Sequence, residues 1–236
     1  MKKLVLAVMA VVLTACSSIP SYRSLANTVV PTNVHLLAVQ SDRYSGEMVE
    51  VVYCSGVVIS QTKVITAGHC TEAAKSMGEG TALFDGKVKL QMSDGKIYYA
   101  TILVSLDVDA FEVRGNKDVA FLELDEAYQG VVAAIGNSDN VAVGDQVVIV
   151  GNPFGEFVDS FSLGVVSARR AFPTAGEFIQ TTAMAAPGSS GGPVFDMSGK
   201  LIGILTRGMA PAGGLNLFIP INVVLEDIGS AMKQNG

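Results

Sequence analysis

The chain has no tryptophan, two histidines and three cysteines in 236 residues, and only 16% of it is charged. Its net charge is −6 and it carries no basic patch, which excludes the electrostatic footprint of a nucleic-acid binder. No group of His, Cys, Asp and Glu has metal-ligand spacing, and no phosphate loop or cofactor motif is present, so no cofactor is expected. Helical periodicity is almost missing, and there is no internal repeat. No apolar run is long enough to span a bilayer as a permanent helix; Leu4 to Leu13 is too short.

That run has another use. Met1-Lys2-Lys3 is a short basic region, Leu4 to Leu13 the apolar core behind it, and Leu13-Thr14-Ala15-Cys16 follows. This text looks like the lipobox of bacterial lipoproteins, in which cleavage before the cysteine leaves Cys16 N-terminal and lipidated. The alternative is an ordinary signal peptide that happens to be cut near a cysteine. Export places the domain in an oxidising compartment. Residues 1–15 are then a lipoprotein signal peptide and 16–32 a polar tether. The lipid is the membrane contact, and Ser17 fits the periplasmic face of the outer membrane in a Gram-negative cell.

What fills the rest is strand text. From Asn33 onward, short β-rich runs alternate with turn signals such as Asp85-Gly86, Asp94-Gly95 and Ser198-Gly199. The first set is His35–Gln40, Met48–Tyr53, Gly56–Ser60, Lys63–Thr66, Thr81–Phe84, Lys87–Met92, Ile97–Val104, Ala110–Val113 and Val119–Leu124. The second follows Gly130: Val131–Ile135, Gln146–Val150, Val158–Ala168, Glu177–Ala183, Pro193–Phe195, Leu201–Thr206 and Leu215–Ile219. Strands this short and this evenly spaced predict an all-β barrel or sandwich. The exception is the end, where Asn222 can cap a helix to about Lys233.

One stretch stands apart: Ala186-Pro187-Gly188-Ser189-Ser190-Gly191-Gly192-Pro193. A serine in a glycine-rich turn can present its oxygen while nearby N–H groups point at the same small space, as acyl transfer needs. Gly-Ser-Ser-Gly-Gly is also the chemistry of a solvated loop, so a base and an orienting acid have to come from elsewhere. His35 lies in an apolar run and reads as a strand residue. His69 lies where the strand Val64-Ile65-Thr66 gives way to Ala67-Gly68-His69-Cys70.

Cys54-Ser55-Gly56 followed by Thr66-Ala67-Gly68-His69-Cys70 resembles the chymotrypsin-like serine proteases. Asn116-Lys117-Asp118-Val119-Ala120-Phe121-Leu122 looks like that family's acid, an aspartate leading into an apolar strand; Asp107 and Asp109 are rivals without the strand text. Gly151-Asn152-Pro153-Phe154-Gly155, Gly164 to Ala168, Ile179-Gln180-Thr181, the serine turn, Leu201 to Ile204 and Phe218 to Ile221 follow the order of the HtrA-type envelope proteases. The resemblance covers roughly residues 50–225 and implies two six-stranded antiparallel β-barrels, 33–128 and 129–236, the second with the terminal helix. It implies a Ser-His-Asp endopeptidase for unfolded or extended protein substrates: Ser190 as nucleophile, His69 as base, Asp118 as orienting acid. Gly188 and Ser190 supply the oxyanion N–H groups, Cys54 and Cys70 a disulfide. Met184, Ala185, Thr206 and Gly208 wall an apolar pocket that Met184 partly fills, with Thr206 on the strand that backs the acid.

There are departures. The family commonly has Asn where Ser189 stands and Asp where Thr182 stands, and it continues into PDZ domains where this sequence stops at Gly236. A catalytically silent peptide-binding lipoprotein of the same fold is therefore the second reading. A purely structural β lipoprotein is the third, and it gives no reason for His69, Asp118 and Ser190 to stand in register.

Overall fold

In the computed structural model, residues 21–42, 44–106, 118–172, 176–208 and 215–234 are described. Cys16, the signal peptide, the rival acids Asp107 and Asp109 and the expected strand Ala110–Val113 lie outside them.

The first barrel is built from β1 (Asn33–Ser41), β2 (Met48–Ser60), β3 (Lys63–Thr66), β4 (Leu83–Phe84), β5 (Lys87–Met92), β6 (Ile97–Leu106) and β7 (Val119–Leu124). The sheet runs β1-β2-β3-β7-β6-β5 and closes where β1 pairs with β5, leaving β4 as a two-residue addition on β5. The second barrel uses β8 (Ala134–Ile135), β9 (Gln146–Gly151), β10 (Ser160–Phe172), β11 (Gly176–Thr181), β12 (Pro193–Asp196), β13 (Lys200–Gly208) and β14 (Asn216–Pro220). It runs β12-β9-β10-β11-β14-β13 and closes through β12–β13, with β8 laid parallel on β13. Each barrel is therefore six antiparallel strands, and closure removes the unpaired edges.

Alternation along the strands explains the closure. In β5, Val88, Leu90 and Met92 are buried while their neighbours are half-exposed, and β7 buries Leu122 and Leu124 on the same face. Those side chains fill the first barrel, as Val147, Ile149, Val166, Ile179, Val194, Ile202 and Phe218 fill the second. The opposite faces also find partners. Val57, Ile65 and Val119 of the first barrel pack with Val148, Val150, Phe195 and Ile219 of the second, forming a third cluster between the two. Burying both faces of these strands is why they read as continuous apolar runs.

Helices seal that central cluster. α1 (Tyr22–Val29) inserts Leu25 and Val29, one turn apart, and α3 (Ile221–Gln234) inserts Val224 and Ile228. α1 occupies part of the stretch expected to be tether: Ser21 caps it through the Ser24 N–H at 3.2 Å, and a 3-10 turn, Val30–Thr32, follows. A single i, i+4 apolar pair is a weak periodic signal, and the second barrel supplies the partner that makes it a helix. α2 (Gly68–Met77), after β3, was likewise not expected; it buries Cys70, Thr71 and Ala74, residues too small to mark a stripe in sequence. β2 is one continuous strand where two were expected, with Cys54 and Ser55 inside it.

Polar groups also join the barrels. His35, read as a plain strand residue, places Nε2 2.9 Å from Asp159 Oδ1 across the barrel junction. Asn33 Nδ2 donates to the same oxygen at 2.9 Å and to Asn152 Oδ1 at 2.8 Å. Burial pushes the Asp159 carboxyl upward, but the bonds from His35 and Asn33 outweigh it and hold it below the usual carboxylate range. A carboxyl depressed in the folded state contributes stability that is complete above its unfolded value and is lost as pH falls through the folded one. The unfolding temperature should therefore fall as the pH drops below about 4. Asp159→Asn should cost about 1–3 kcal/mol near neutrality and less in strong acid, once the pH has fallen through the lowered folded value and the wild-type carboxyl is protonated. Melting curves of both chains near neutrality and in strong acid check this; an equal loss at both would disprove the ionic contribution.

Candidate active site

His69 is the second residue of α2, and its place depends on Gly68. A Cβ on Gly68 would stand 2.2 Å from the Leu106 carbonyl oxygen, so only glycine lets the helix start this close to β6. At a helix N-terminus the first N–H groups have no partner within the helix. Here the His69 N–H donates to Asp118 Oδ1 at 2.9 Å. The His69 ring lies on the same carboxylate, with Nδ1 3.0 Å from Oδ1 and 2.9 Å from Oδ2. Thr206 Oγ1, on β13 of the other barrel, donates to Oδ2. Asp118 immediately precedes β7 and is 5% exposed. Burial alone would raise its carboxyl; the bonds from His69 and Thr206 win and keep it lowered, hence ionised at neutral pH. An ionised carboxylate accepts only, so Nδ1 carries the proton and Nε2 is left as the basic nitrogen. The His69 side chain is 39% exposed, open to a substrate in a way Asp118 is not.

Ser190 comes from the second barrel, in the turn between β11 and β12. Gly188 and Gly191 take left-handed φ values of +94° and +82°. A Cβ on Gly191 would stand 2.2 Å from both Ser55 O and Thr66 Oγ1 and 2.8 Å from Ala67 N. The turn therefore lies against the end of β3 that leads into His69. The Ser55 N–H donates to Ser190 O at 2.8 Å and fastens it there. Within the turn, the N–H of Ser189 donates to Ala186 O, that of Gly191 to Leu205 O and that of Gly192 to Ser189 O. Among the described residues no main-chain carbonyl engages the N–H of Gly188 or of Ser190.

Cys54 and Cys70 are joined by a disulfide with Cα atoms 6.1 Å apart. It ties β2 to the first turn of α2, beside His69. Closing a loop of about 15 residues removes roughly 3 kcal/mol of freedom from the unfolded chain in the chain-entropy model. Cys54, Cys70 and His69 are also the one metal-like cluster among the described residues. Its sulfurs are bonded to each other and are not thiolates able to ligate.

The expected pocket residues divide. Thr206 is buried with its hydroxyl committed to Asp118, so it can meet a substrate only through its main chain. Gly208 ends β13, paired with Asn216 of β14. Ala185 is half-buried against the second barrel's interior. Met184 does not fill a pocket: the residue is 79% exposed, and its N–H donates to Ser162 Oγ at 2.7 Å. Ser55 and Asn152 carried no expectation, yet both touch the serine turn. Their partners lie about a hundred residues away, and only the quoted Cys54-Ser55-Gly56 and Gly151-Asn152-Pro153 texts marked the places.

The family model described as "Trypsin-like peptidase domain" matches residues 54–204. The Escherichia coli (strain K12) protein named "Periplasmic pH-dependent serine endoprotease DegQ" is 34% identical over 178 residues, which cover 72% of this chain and 35% of that protein. A Pseudomonas fulva protein named "Probable periplasmic serine endoprotease DegP-like" is 39% identical over 127 residues, 51% of this chain and 26% of its own length. The chain thus spans about a third of the length of the curated relatives it matches. A solved structure described as "HtrA-type protease AlgW with decapeptide" shares the fold, with a TM-score of 0.72 at 24% identity, over 90% of this chain and 68% of that one. Because the family match covers residues 54–204, from Cys54 on the first barrel to Ile204 on the second, the chain belongs to the trypsin-like peptidase family.

Proposed function

We propose that this protein is a serine endopeptidase of the bacterial envelope that hydrolyses peptide bonds in unfolded or extended protein substrates. The observation that carries this is the Asp118 carboxylate, gripped by the His69 ring, the His69 N–H and Thr206 at the junction where the Ser190 turn is fastened. Ser190 Oγ attacks the peptide carbonyl while His69 Nε2 takes its proton and then passes it to the leaving amine. Asp118 holds the imidazole tautomer and stabilises the charged ring. The N–H groups of Gly188 and Ser190 receive the negative charge that develops on the carbonyl oxygen. The segment Met184 to Ala186 offers no carboxylate to pair a buried cation, so small aliphatic residues precede the cut. Reaction with a fluorophosphonate probe tests the function: labelling of the wild type at Ser190 is expected, and an unlabelled, folded wild type would leave only a silent binding module.

The lipid anchor is part of the same proposal. With α1 starting at Tyr22 and capped by Ser21, five residues separate Cys16 from the folded domain, and fully extended they reach about 17 Å. That replaces the long leash expected from residues 16–32 and holds the protease close to the bilayer. Cys16→Ser should leave the protein soluble or unprocessed; a mature mutant still pelleting with membranes in fractionation would disprove the anchor.

A further inference from the structure

Every hydrogen-bonding group of Ser55 is used, and three of the four uses lead to the serine turn or the residue beneath it. Ser55 lies on β2 next to the disulfide and is fully buried. Its N–H donates to Ser190 O at 2.8 Å, and its Oγ donates to Gly188 O at 2.8 Å. The same Oγ accepts the Asn152 N–H at 3.0 Å, and its carbonyl accepts Thr66 Oγ1 at 2.6 Å. A buried hydroxyl that is both donor and acceptor, between two main chains of the second barrel, has one orientation available to it.

Three consecutive peptide planes make up the turn, and each is pinned through its carbonyl. Pro187 O accepts the Phe154 N–H at 2.6 Å, and Ser189 O accepts the Gly192 N–H at 3.0 Å. Gly188 O accepts the Ser55 hydroxyl. A planar trans amide points its N–H opposite to its C=O, so pinning the carbonyls aims the N–H groups of Gly188, Ser189 and Ser190. The Ser189 N–H is turned to Ala186 O at 2.9 Å, away from its two neighbours. Glycine at 188, at φ +94°, gives the middle plane room to rotate once the Ser55 bond is removed and the Ser189 N–H bond to Ala186 O alone holds it. Of the three pins, two are main-chain donors and only the Ser55 hydroxyl is a side chain.

We propose that Ser55 is a positioning residue: its hydroxyl, reaching from the barrel that carries His69, holds the Gly188–Ser189 peptide so that the N–H groups of Gly188 and Ser190 converge on the substrate carbonyl oxygen. This rests on those two groups being the oxyanion donors. It also makes assembly of the donor pair depend on docking of the two barrels. The plane that Ser55 pins carries the Ser189 N–H and lies between the planes of the two donors, so its rotation should turn those neighbours off the substrate oxygen. Removing a donor outright costs on the order of 10²–10³ in rate, and this disturbance should cost a comparable amount.

Ser55→Ala is expected to lower kcat about 10²-fold with KM within about twofold. The affinity of a peptide boronic acid, whose tetrahedral adduct needs the same donors, should weaken by a similar factor. Binding of an uncleaved peptide, measured on Ser190→Ala with and without Ser55→Ala, should not change. Ser55→Thr keeps the hydroxyl and should stay within about fivefold of the wild-type kcat. Wild-type kcat in Ser55→Ala, equal losses of peptide and boronate binding, or a folded Ser55→Thr as slow as Ser55→Ala would each overturn the assignment. So would a Ser55→Ala chain that cannot fold, since the bond would then serve stability. Failure of the parent reading is separate: it shows as an unlabelled wild type or an active Ser190→Ala, whatever Ser55 does.

Discussion

Ser190→Ala should lower kcat by about 10⁶ while leaving the fold and peptide binding in place. The size of the loss follows from what the hydroxyl does. Without Oγ there is no acyl intermediate, and His69 has no serine proton to take or pass on. Residual hydrolysis of about 10³–10⁴ over water would remain, because donors and substrate alignment survive. The turn is held by main-chain contacts that alanine keeps: Ser55 N–H to Ser190 O and Gly191 N–H to Leu205 O. Melting temperature and peptide affinity should therefore match the wild type. Cleavage of an extended peptide, followed by mass spectrometry, measures the loss. Ser189 tests the assignment directly: it is buried, with its Oγ 3.4 Å from the Ala186 N–H, so Ser189→Ala should not reproduce the defect. If it did, the nucleophile would move by one residue.

Asp118→Asn should cost about 10⁴ in kcat without loss of the fold. Asp118 accepts from three donors: the His69 N–H, the His69 ring and the Thr206 hydroxyl. Asparagine has one accepting oxygen and one donating amide. It cannot satisfy all three, and with its NH₂ toward the ring it favours the tautomer that carries the proton on Nε2. That ring cannot take the serine proton. Nitrogen NMR of the imidazole reports the tautomer directly, and with two histidines in the chain the assignment is simple. An Asp118→Asn enzyme with wild-type kcat and a ring still protonated at Nδ1 would show that another group orients His69.

How much could be read beforehand depended on the range over which each feature is decided. Lys63–Thr66, Lys87–Met92 and Val119–Leu124 keep the bounds read from sequence, because their turns and alternation are local. Thr81–Phe84 and Val131–Ile135 shrink to two residues each, since only Leu83–Phe84 and Ala134–Ile135 find a neighbouring strand. α1 and α2 were missed because their buried faces are one apolar pair and a set of small residues. Position before Ser190 puts Met184 inside a pocket, but its N–H donates to Ser162 of β10 and its side chain lies exposed, a pairing between separate strands that the local text does not carry.

The sequence by itself determined a chain of short strands in two sets, and through its resemblance to a protease family it pointed to His69, Asp118 and Ser190 in a fixed order. These are carried by residue type and near neighbours: the glycines that permit a sharp turn, the small residues before the histidine, the strand after the aspartate. Only the tertiary structure decided which distant groups brace those residues. Ser55 reaches Gly188 across 133 residues, Thr206 reaches Asp118 across 88, and His35 reaches Asp159 across 124. The physical reason is that a serine, threonine or histidine in a strand has no directional signature in the chain. Its hydrogen bond is chosen when the barrels close and water leaves, because a buried polar group must then find whichever partner the packing has brought within reach.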